Sequence, residues 1–157
     1  MIVLTPAEIS KTGISLSLGS LAVNIPKGEL DALGSMGEWV ASDGELIVQE
    51  GTYQKHLYTI LDGEVDVFKK NADTKQILIR LSSGTLFGEI SLLSGGQASA
   101  NVEAAGKAIL WRINHKHLME FVEGYSSGGQ ICINLAKVLS DRLVQANEKI
   151  VDLASKT

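Results

Sequence analysis

The chain contains two neighbouring segments, Phe87-Gly88-Glu89-Ile90-Ser91-Leu92-Leu93 and, after a short loop, Gln97-Ala98-Ser99-Ala100-Asn101-Val102. An apolar residue, a glycine and an acid that lead into a helical turn leave several backbone N–H groups unpaired and directed at one point, which suits an anion. Two interpretations stay open: a ligand pocket, or a helix N-terminus closed beneath a β-structure. The candidate ligand site comprises Phe87, Gly88, Glu89, Ile90, Ser91, Ala98, Ser99, Ala100 and Asn101.

Short apolar runs separated by turn residues surround these segments from residue 38 onward. Residues 64–68 alternate between polar and apolar side chains, as a half-buried strand does. Gly44 and Gly63 each follow an aspartate between two runs, where turns need a positive φ. The pattern predicts a mainly β fold, a jelly-roll or β-roll sandwich with short flanking helices and a long C-terminal helix.

Three regions follow from this pattern. Residues 1–37 form an N-terminal segment, in which the alternation at 13–19 is compatible with a short strand and Pro26 introduces a brief helix over residues 29–33 that ends at Gly34 or Gly37. Residues 38–124 form the β-roll, followed through Asn114, a good N-cap, by a helix that begins at His115. Residues 125–157 contain the C-terminal helix.

The C-terminal helix is predicted to start after Gly129 and to carry apolar residues at steps of 4, 4, 3, 4 and 3, the spacing of a continuous seam. At 1.5 Å per residue it is about 37 Å long and overshoots a small β-roll. We therefore expect its far end to pack on a second copy of the chain. The predicted dimer interface comprises Leu135, Leu139, Leu143, Ala146 and Ile150, with Leu153 continuing the seam.

Several stretches together carry a resemblance to a known family: residues 44–47 through 50–51, residues 57–65 (Leu-Tyr-Thr-Ile-Leu-Asp-Gly-Glu-Val), the two segments at 87–93 and 97–102, and the closing helix. Over roughly residues 38–150 the chain resembles the cyclic nucleotide-binding domain family, in which residues 87–102 would form the phosphate-binding cassette. The resemblance implies a β-roll, and it implies that Glu89 accepts hydrogen bonds from a sugar hydroxyl.

The same resemblance places Ala98 where the family has an arginine that binds the cyclic phosphate. A guanidinium supplies two parallel charge-assisted hydrogen bonds, which alanine cannot supply. Removing one partner of such a buried pair costs about 2–5 kcal/mol, or roughly thirtyfold to several thousandfold in affinity. We therefore expect a degenerate cassette, weak binding of cAMP at most, and no cofactor.

Composition limits the partners of the chain. Its 157 residues suit one domain, and its net charge of −4 argues against broad contact with a nucleic-acid backbone. No apolar run approaches about 18 residues, and the N-terminus lacks a signal-peptide pattern. We expect no DNA binding, no membrane insertion and a cytoplasmic location. Cys132 is the only cysteine, which fits a reducing compartment, and it is expected to be a small buried hydrophobe.

Other chemistry-bearing side chains give weaker signals. His115 and His117 begin a helix without sharing a face, and no cysteine or carboxylate cluster accompanies them, so we expect no metal. Arg80, Lys107 and Arg112 are the candidate cations for a phosphate, but each is expected at a solvated surface position. The chain has no GxSxG, Walker, HExxH or dinucleotide motif, which favours a protein that is not an enzyme.

Three functions compete. The first is a regulatory module that homodimerises through residues 130–154 and docks protein partners in a signalling pathway, and it is the function we expect. The second is a sensor that binds cAMP, cGMP or another nucleotide weakly or atypically. The third is a transcription regulator of the catabolite activator type, whose dimer helix residues 135–143 resemble. Such regulators carry a helix-turn-helix after this helix, whereas only about a dozen residues follow Leu143 here.

Overall fold

A computed structural model describes residues 1–156 of the chain. These residues form two antiparallel sheets, one in the order β1-β2-β9-β4-β7 and the other in the order β3-β8-β5-β6. The predicted mainly β sandwich is therefore confirmed. The strands are β1 Ile2–Val3, β2 Glu38–Asp43, β3 Leu46–Val48, β4 His56–Asp62, β5 Glu64–Asn71, β6 Thr74–Ser82, β7 Leu86–Phe87, β8 Asn101–Ala104 and β9 Lys107–Asn114.

Alternation along the strands separates two hydrophobic cores. In β9, Leu110 faces the space between the sheets while its neighbour Trp111 faces the helices, as the two-residue period of a strand requires. The inter-sheet core also contains Ile60, Val65 and Ala98. The second core lies between the first sheet and the helices, and it includes Leu33, Trp39, Leu57, Trp111, Leu118, Phe121, Ile131 and Leu135.

The N-terminal segment contains two helices, α1 Pro6–Thr12 and α2 Lys27–Met36. Thr5 and Glu8 form a reciprocal capping box at the start of α1. Gly37 caps the end of α2, which confirms one of the two predicted ends, whereas Gly34 lies inside the helix and its carbonyl accepts from Trp111 Nε1 at 3.1 Å. The strand considered for residues 13–19 is wrong: residues 14–18 are irregular and lead into a 3₁₀ turn, Gly19–Leu21. Leu21 is fully buried there against the helices.

Three helices follow the strands or interrupt them. Helix α3, Glu89–Ser94, lies between β7 and β8. Helix α4, His115–Gly124, starts with Asn114 as its N-cap, whose side chain accepts from Lys116 N at 2.8 Å, as predicted. Helix α5, Gly128–Ser155, has 28 residues and is about 42 Å long at 1.5 Å per residue. The predicted C-terminal region extends to Thr157, which lies outside the described residues.

The first part of α5 is held in the core, and the remainder leaves it. Ile131 and Leu135 are buried, and Asn134 Nδ2 donates to the carbonyls of Leu21 and Val23, each at 2.8 Å. Cys132 points away from this packing and is exposed, so its predicted burial is wrong. Adjacent residues of an α-helix lie about 100° apart around its axis. Cys132, which follows the buried Ile131, therefore lies outside the packed face. Within the described residues, no helix is long and apolar enough to cross a membrane.

Candidate functional site

The cassette begins at a glycine that the fold requires. Gly88 has φ +93° and caps the N-terminus of α3. A Cβ at this position would lie 2.5 Å from the His56 carbonyl oxygen and 2.8 Å from Gln54 Nε2. Both the left-handed conformation and the close approach exclude other side chains at position 88.

The loop after α3 is tied to the segment between β3 and β4. Ala98 N–H donates to the Thr52 carbonyl at 3.0 Å, and Gly51 N–H donates to the Ala98 carbonyl at 2.9 Å. Asn101 Oδ1 accepts from Glu50 N at 2.9 Å. These bonds hold the loop against the roll. The side chain of Asn101, one of the predicted ligand residues, is therefore used in a structural hydrogen bond.

A cavity of about 110 Å³ lies inside the cassette. Eight of the nine predicted site residues line it, and Asn101 is the exception. Its remaining wall is mostly apolar and comes from the inner faces of β3, β5, β6 and β8, through Val48, Val67, Ile79, Leu81 and Val102. The structure therefore brings eight of the predicted residues together around one concavity, and the strands that complete it are distant in the chain.

Arg142 of α5 reaches this cavity, and the sequence interpretation missed it. Its Nη1 donates to Glu89 Oε1, and its Nη2 donates to the Leu86 carbonyl oxygen. The Glu89 side chain is 4% exposed and that of Arg142 23% exposed, so the ion pair is largely withdrawn from water. The sequence signal for Arg142 was its position directly beside Leu143 in the helix seam. Its partner Glu89 lies 53 residues away in sequence, so that position alone did not reveal the ion pair.

The three cations considered from sequence lie elsewhere. Arg80 donates to both oxygens of Asp66, at 2.7 and 2.9 Å, and these bonds lower the pKa of the Asp66 carboxyl below its usual value. Lys107 is exposed. Arg112 is paired with Glu38 at 2.7 Å and its side chain is only 17% exposed, so the expected solvated position is wrong for Arg112. None of the three lines the cavity.

The histidines are placed by packing. Burial lowers the pKa of His56 and of His115, and the His115 ring lies beside the main chain of His56 and Gly88, behind the cassette. Within residues 1–156, no group of three His, Cys, Asp or Glu side chains is arranged to hold a metal ion.

The fold and the cassette define a known class of protein. The family model for the cyclic nucleotide-binding domain matches residues 39–125, which is more than half of the chain. The chain therefore belongs to the cyclic nucleotide-binding domain family. It is 34% identical over 121 residues to the cyclic nucleotide-gated channel beta-3 of the dog, Canis lupus familiaris, covering 75% of this chain and 15% of the channel. The chain thus spans a small part of that relative.

Two solved structures share the fold. The catabolite activator protein of Thermus thermophilus has a TM-score of 0.75 and 25% identity, over 87% of this chain and 63% of the other. A cyclic nucleotide-binding domain from Methylobacillus flagellatus has a TM-score of 0.79 and 21% identity, over 96% of this chain and 88% of the other. The relatives named here are a channel and an activator, so this domain occurs in regulatory proteins.

Proposed function

We propose that this chain is a non-catalytic regulatory domain that homodimerises through the second half of α5 and docks a protein partner in the cytoplasm. The observation that carries the proposal is the exposed apolar face of the second half of α5. The side chains of Leu143 and Ile150 are 63% and 64% exposed, and Leu153 is 56% exposed. A continuous apolar stripe of this kind on a long helix marks an interaction surface.

The stripe has the spacing of a coiled-coil seam. Leu139, Leu143, Ala146, Ile150 and Leu153 follow one another at steps of 4, 3, 4 and 3. Leu143 and Ile150 then take a positions, and Leu139, Ala146 and Leu153 take d positions. Ile150 at a with Leu153 at d is the combination that favours parallel two-stranded pairing. Leu135, predicted as part of the interface, is 5% exposed in the protomer's own core, so the proposed interface starts at Leu139.

The positions that flank the seam do not oppose pairing. Arg142 and Lys149 lie on the side of the helix nearest its own β-roll, where Arg142 meets Glu89 and Lys149 Nζ donates to the Leu78 carbonyl at 3.0 Å. The Arg142 charge is therefore paired within the chain, and Lys149 Nζ is held on its own β-roll by an uncharged carbonyl. Ala146 is small enough to let the two backbones approach closely near the middle of the contact.

Light scattering tests the dimer. We expect a mass near twice 16.8 kDa for the wild type at tens of micromolar and one copy for Leu143→Asp, because the substitution places two like charges in one seam. The matched control is Val144→Asp, which adds the same charge one residue away, at an exposed position outside the seam. A wild-type monomer would contradict the proposal.

The native cysteine supplies a test of helix direction. Cys132 is exposed and lies one heptad before Leu139, so it occupies the same d register. In a parallel pair whose contact continues one heptad before Leu139, the two Cys132 residues face each other, and mild oxidation should give a covalent dimer that Leu143→Asp abolishes. Antiparallel helices would hold the thiols at opposite ends of the contact, and no such product would form.

A second candidate, a sensor with an atypical ligand, is supported by Arg142. This residue lies in the cavity wall and also belongs to the helix that carries the seam, so occupancy of the cavity has a direct route to the dimer interface. Titration with cAMP and cGMP should give affinities far below those of proteins with an arginine at position 98, and Ala98→Arg should strengthen binding. A submicromolar dissociation constant for cAMP in the wild type would contradict this expectation.

A further inference from the structure

A second apolar line runs along α5 beside the seam. Val144 and Val151 lie one heptad apart and are 53% and 68% exposed. Each directly follows a seam residue, Leu143 or Ile150, and therefore lies about 100° around the helix axis from it. The polar residue Asn147 lies between the two lines. The two valines thus form an outer stripe that is separate from the seam.

The proposed dimer leaves the outer stripe uncovered. In a parallel pair the a and d positions face the other helix, whereas Val144 and Val151 take b positions, which point away from that contact. The side of α5 that bonds to its own β-roll is also distant. Arg142 and Lys149 make those bonds, and each precedes a valine by two positions, about 160° around the axis. The stripe therefore faces away from its own roll and from the second helix.

The outer stripe has the geometry of a socket for one side chain. Val144, Asn147, Glu148 and Val151 line a single surface depression. They occupy positions i, i+3, i+4 and i+7, which is a set of four helix neighbours that forms a hole for one knob of a facing helix. The depression therefore suits an apolar side chain presented by another α-helix.

Carboxylates border the outer stripe on the side away from the seam. Glu148 lines the depression, and Asp141 precedes Glu148 by one heptad, so both lie along one edge. Both are exposed, and within residues 1–156 neither forms an ion pair, whereas Asp152 is paired with Lys156. Lys137, at the start of this face, offsets one of the two free charges. The face therefore remains net negative.

We propose that the outer stripe docks an amphipathic helix of a partner protein, with an apolar side chain in the depression and Lys or Arg beside it. The inference rests on the regulatory module proposed above and names its docking surface and the chemistry of its partner. Basic residues on the partner complement Glu148 and Asp141. A second copy of the stripe would instead bring the same carboxylates to the contact, and an anionic membrane surface would be repelled.

Fluorescence anisotropy on the full chain at about 0.15 M salt tests the inference. The probes are two labelled amphipathic peptides of about 20 residues with leucine on one face, one flanked by arginine and the other by glutamate. We expect the arginine peptide to bind the wild type at least about tenfold more tightly. Glu148→Gln should reduce that preference about threefold or more, whereas Glu120→Gln, an exposed carboxylate on α4, should not. Equal affinities would overturn the inference.

A double substitution in the stripe identifies where the peptide binds. Val144→Asn combined with Val151→Asn should weaken the arginine peptide about tenfold or more and leave the dimer mass unchanged, because both valines lie outside the seam. The complex with the wild type should still contain two copies of the chain. A peptide that displaces one copy, or that binds the double variant equally well, would place it on the seam and contradict the inference.

Light scattering without peptide separates this inference from the proposed dimer. A wild-type mass near four copies that the double variant halves would assign the stripe to a second dimer and overturn the docking of a partner helix. A dimer that binds neither peptide at about 0.1 mM would overturn the docking surface alone. A monomer that binds the arginine peptide through the two valines would support the docking surface and contradict only the dimer.

Discussion

The two halves of α5 both carry apolar residues at helical spacing, but the first half is packed in the core and the second is largely exposed. In the half that ends at Val138, Ile131 and Leu135 pack beside Trp111 and Phe121 in the core. In the half that starts at Leu139, the apolar residues of the seam are largely exposed from Leu143 on, and three of them line an open groove beside β6. Helical periodicity therefore identifies a face that needs cover, but it does not identify what covers it.

The junction between the two halves is where the cassette cavity touches the helix. Arg142 lies one turn beyond Val138 and ties α5 to Glu89 and to the start of β7. Any ligand that displaces or reorients this guanidinium would act on the first turn of the exposed half. The comparison thus separates three contributions to α5: a buried anchor, a charged link and an exposed seam.

Truncating Leu135 and Ile150 to alanine tests the buried anchor and the exposed seam. This pair of variants should give the largest difference in the free energy of unfolding. Leu135→Ala should lower the free energy of unfolding by about 2–5 kcal/mol, because it leaves a cavity in the helix core. Ile150→Ala should cost under about 0.5 kcal/mol at dilutions where the chain is monomeric. Urea unfolding monitored by circular dichroism measures both.

The same two variants behave differently with protein concentration. Ile150→Ala should weaken the concentration dependence of the melting temperature, since only the dimer contact is changed. Leu135→Ala should preserve that dependence at a lower melting temperature. Equal losses of monomer stability from the two truncations would show that the exposed half packs on its own β-roll, and the contrast between the halves would then be wrong.

Breaking the Arg142–Glu89 ion pair should give an intermediate loss of unfolding free energy. Arg142→Ala leaves Glu89 buried without its partner, which places the loss of unfolding free energy at or below the lower end of about 3–5 kcal/mol, because Arg142 is partly exposed. Glu89→Gln on the Arg142→Ala background should recover part of that loss by removing the unpaired charge. A double-mutant cycle by urea unfolding measures the coupling, and purely additive losses would contradict a direct link.

Acidification should give the smallest loss of stability. It acts through His115, which is packed behind the cassette. Burial lowers the pKa of His115, so the folded state favours the neutral ring and the unfolded state binds more protons below the ordinary value of about 6.5. The stability that comes from neutral His115 is present above that pH and is lost as the pH falls through the folded-state value.

His115→Gln should therefore flatten the loss of melting temperature between about pH 7 and pH 5, with the exposed His117→Gln as the matched control. His56, whose pKa burial also lowers, retains its own share of the slope in both variants. An unchanged slope in His115→Gln would mean that protonation of this ring does not differ between the folded and unfolded states.

Much of the architecture follows from local rules. The alternation in residues 64–68, the glycines after aspartate at the turns and Asn114 before a helix each report a backbone preference that acts over a few residues, and each was placed correctly. Gly88 belongs with them, because a left-handed turn before a short helix is a local demand. Residues 13–19 were misjudged because Leu18 and Leu21 are held by the helix core rather than by a strand.

By itself, the sequence determined the β-roll, the cassette with alanine at position 98 and a long helix with an apolar seam. Each of these features depends on neighbouring residues or on the regular spacing of apolar side chains. Only the tertiary structure decided that Arg142 meets Glu89, that Leu135 is buried whereas Leu143 is not, and that Cys132 faces outward. These facts depend on where α5 lies against the roll. That position is set by contacts between residues far apart in the chain, such as Asn134 with Leu21, which no local pattern encodes.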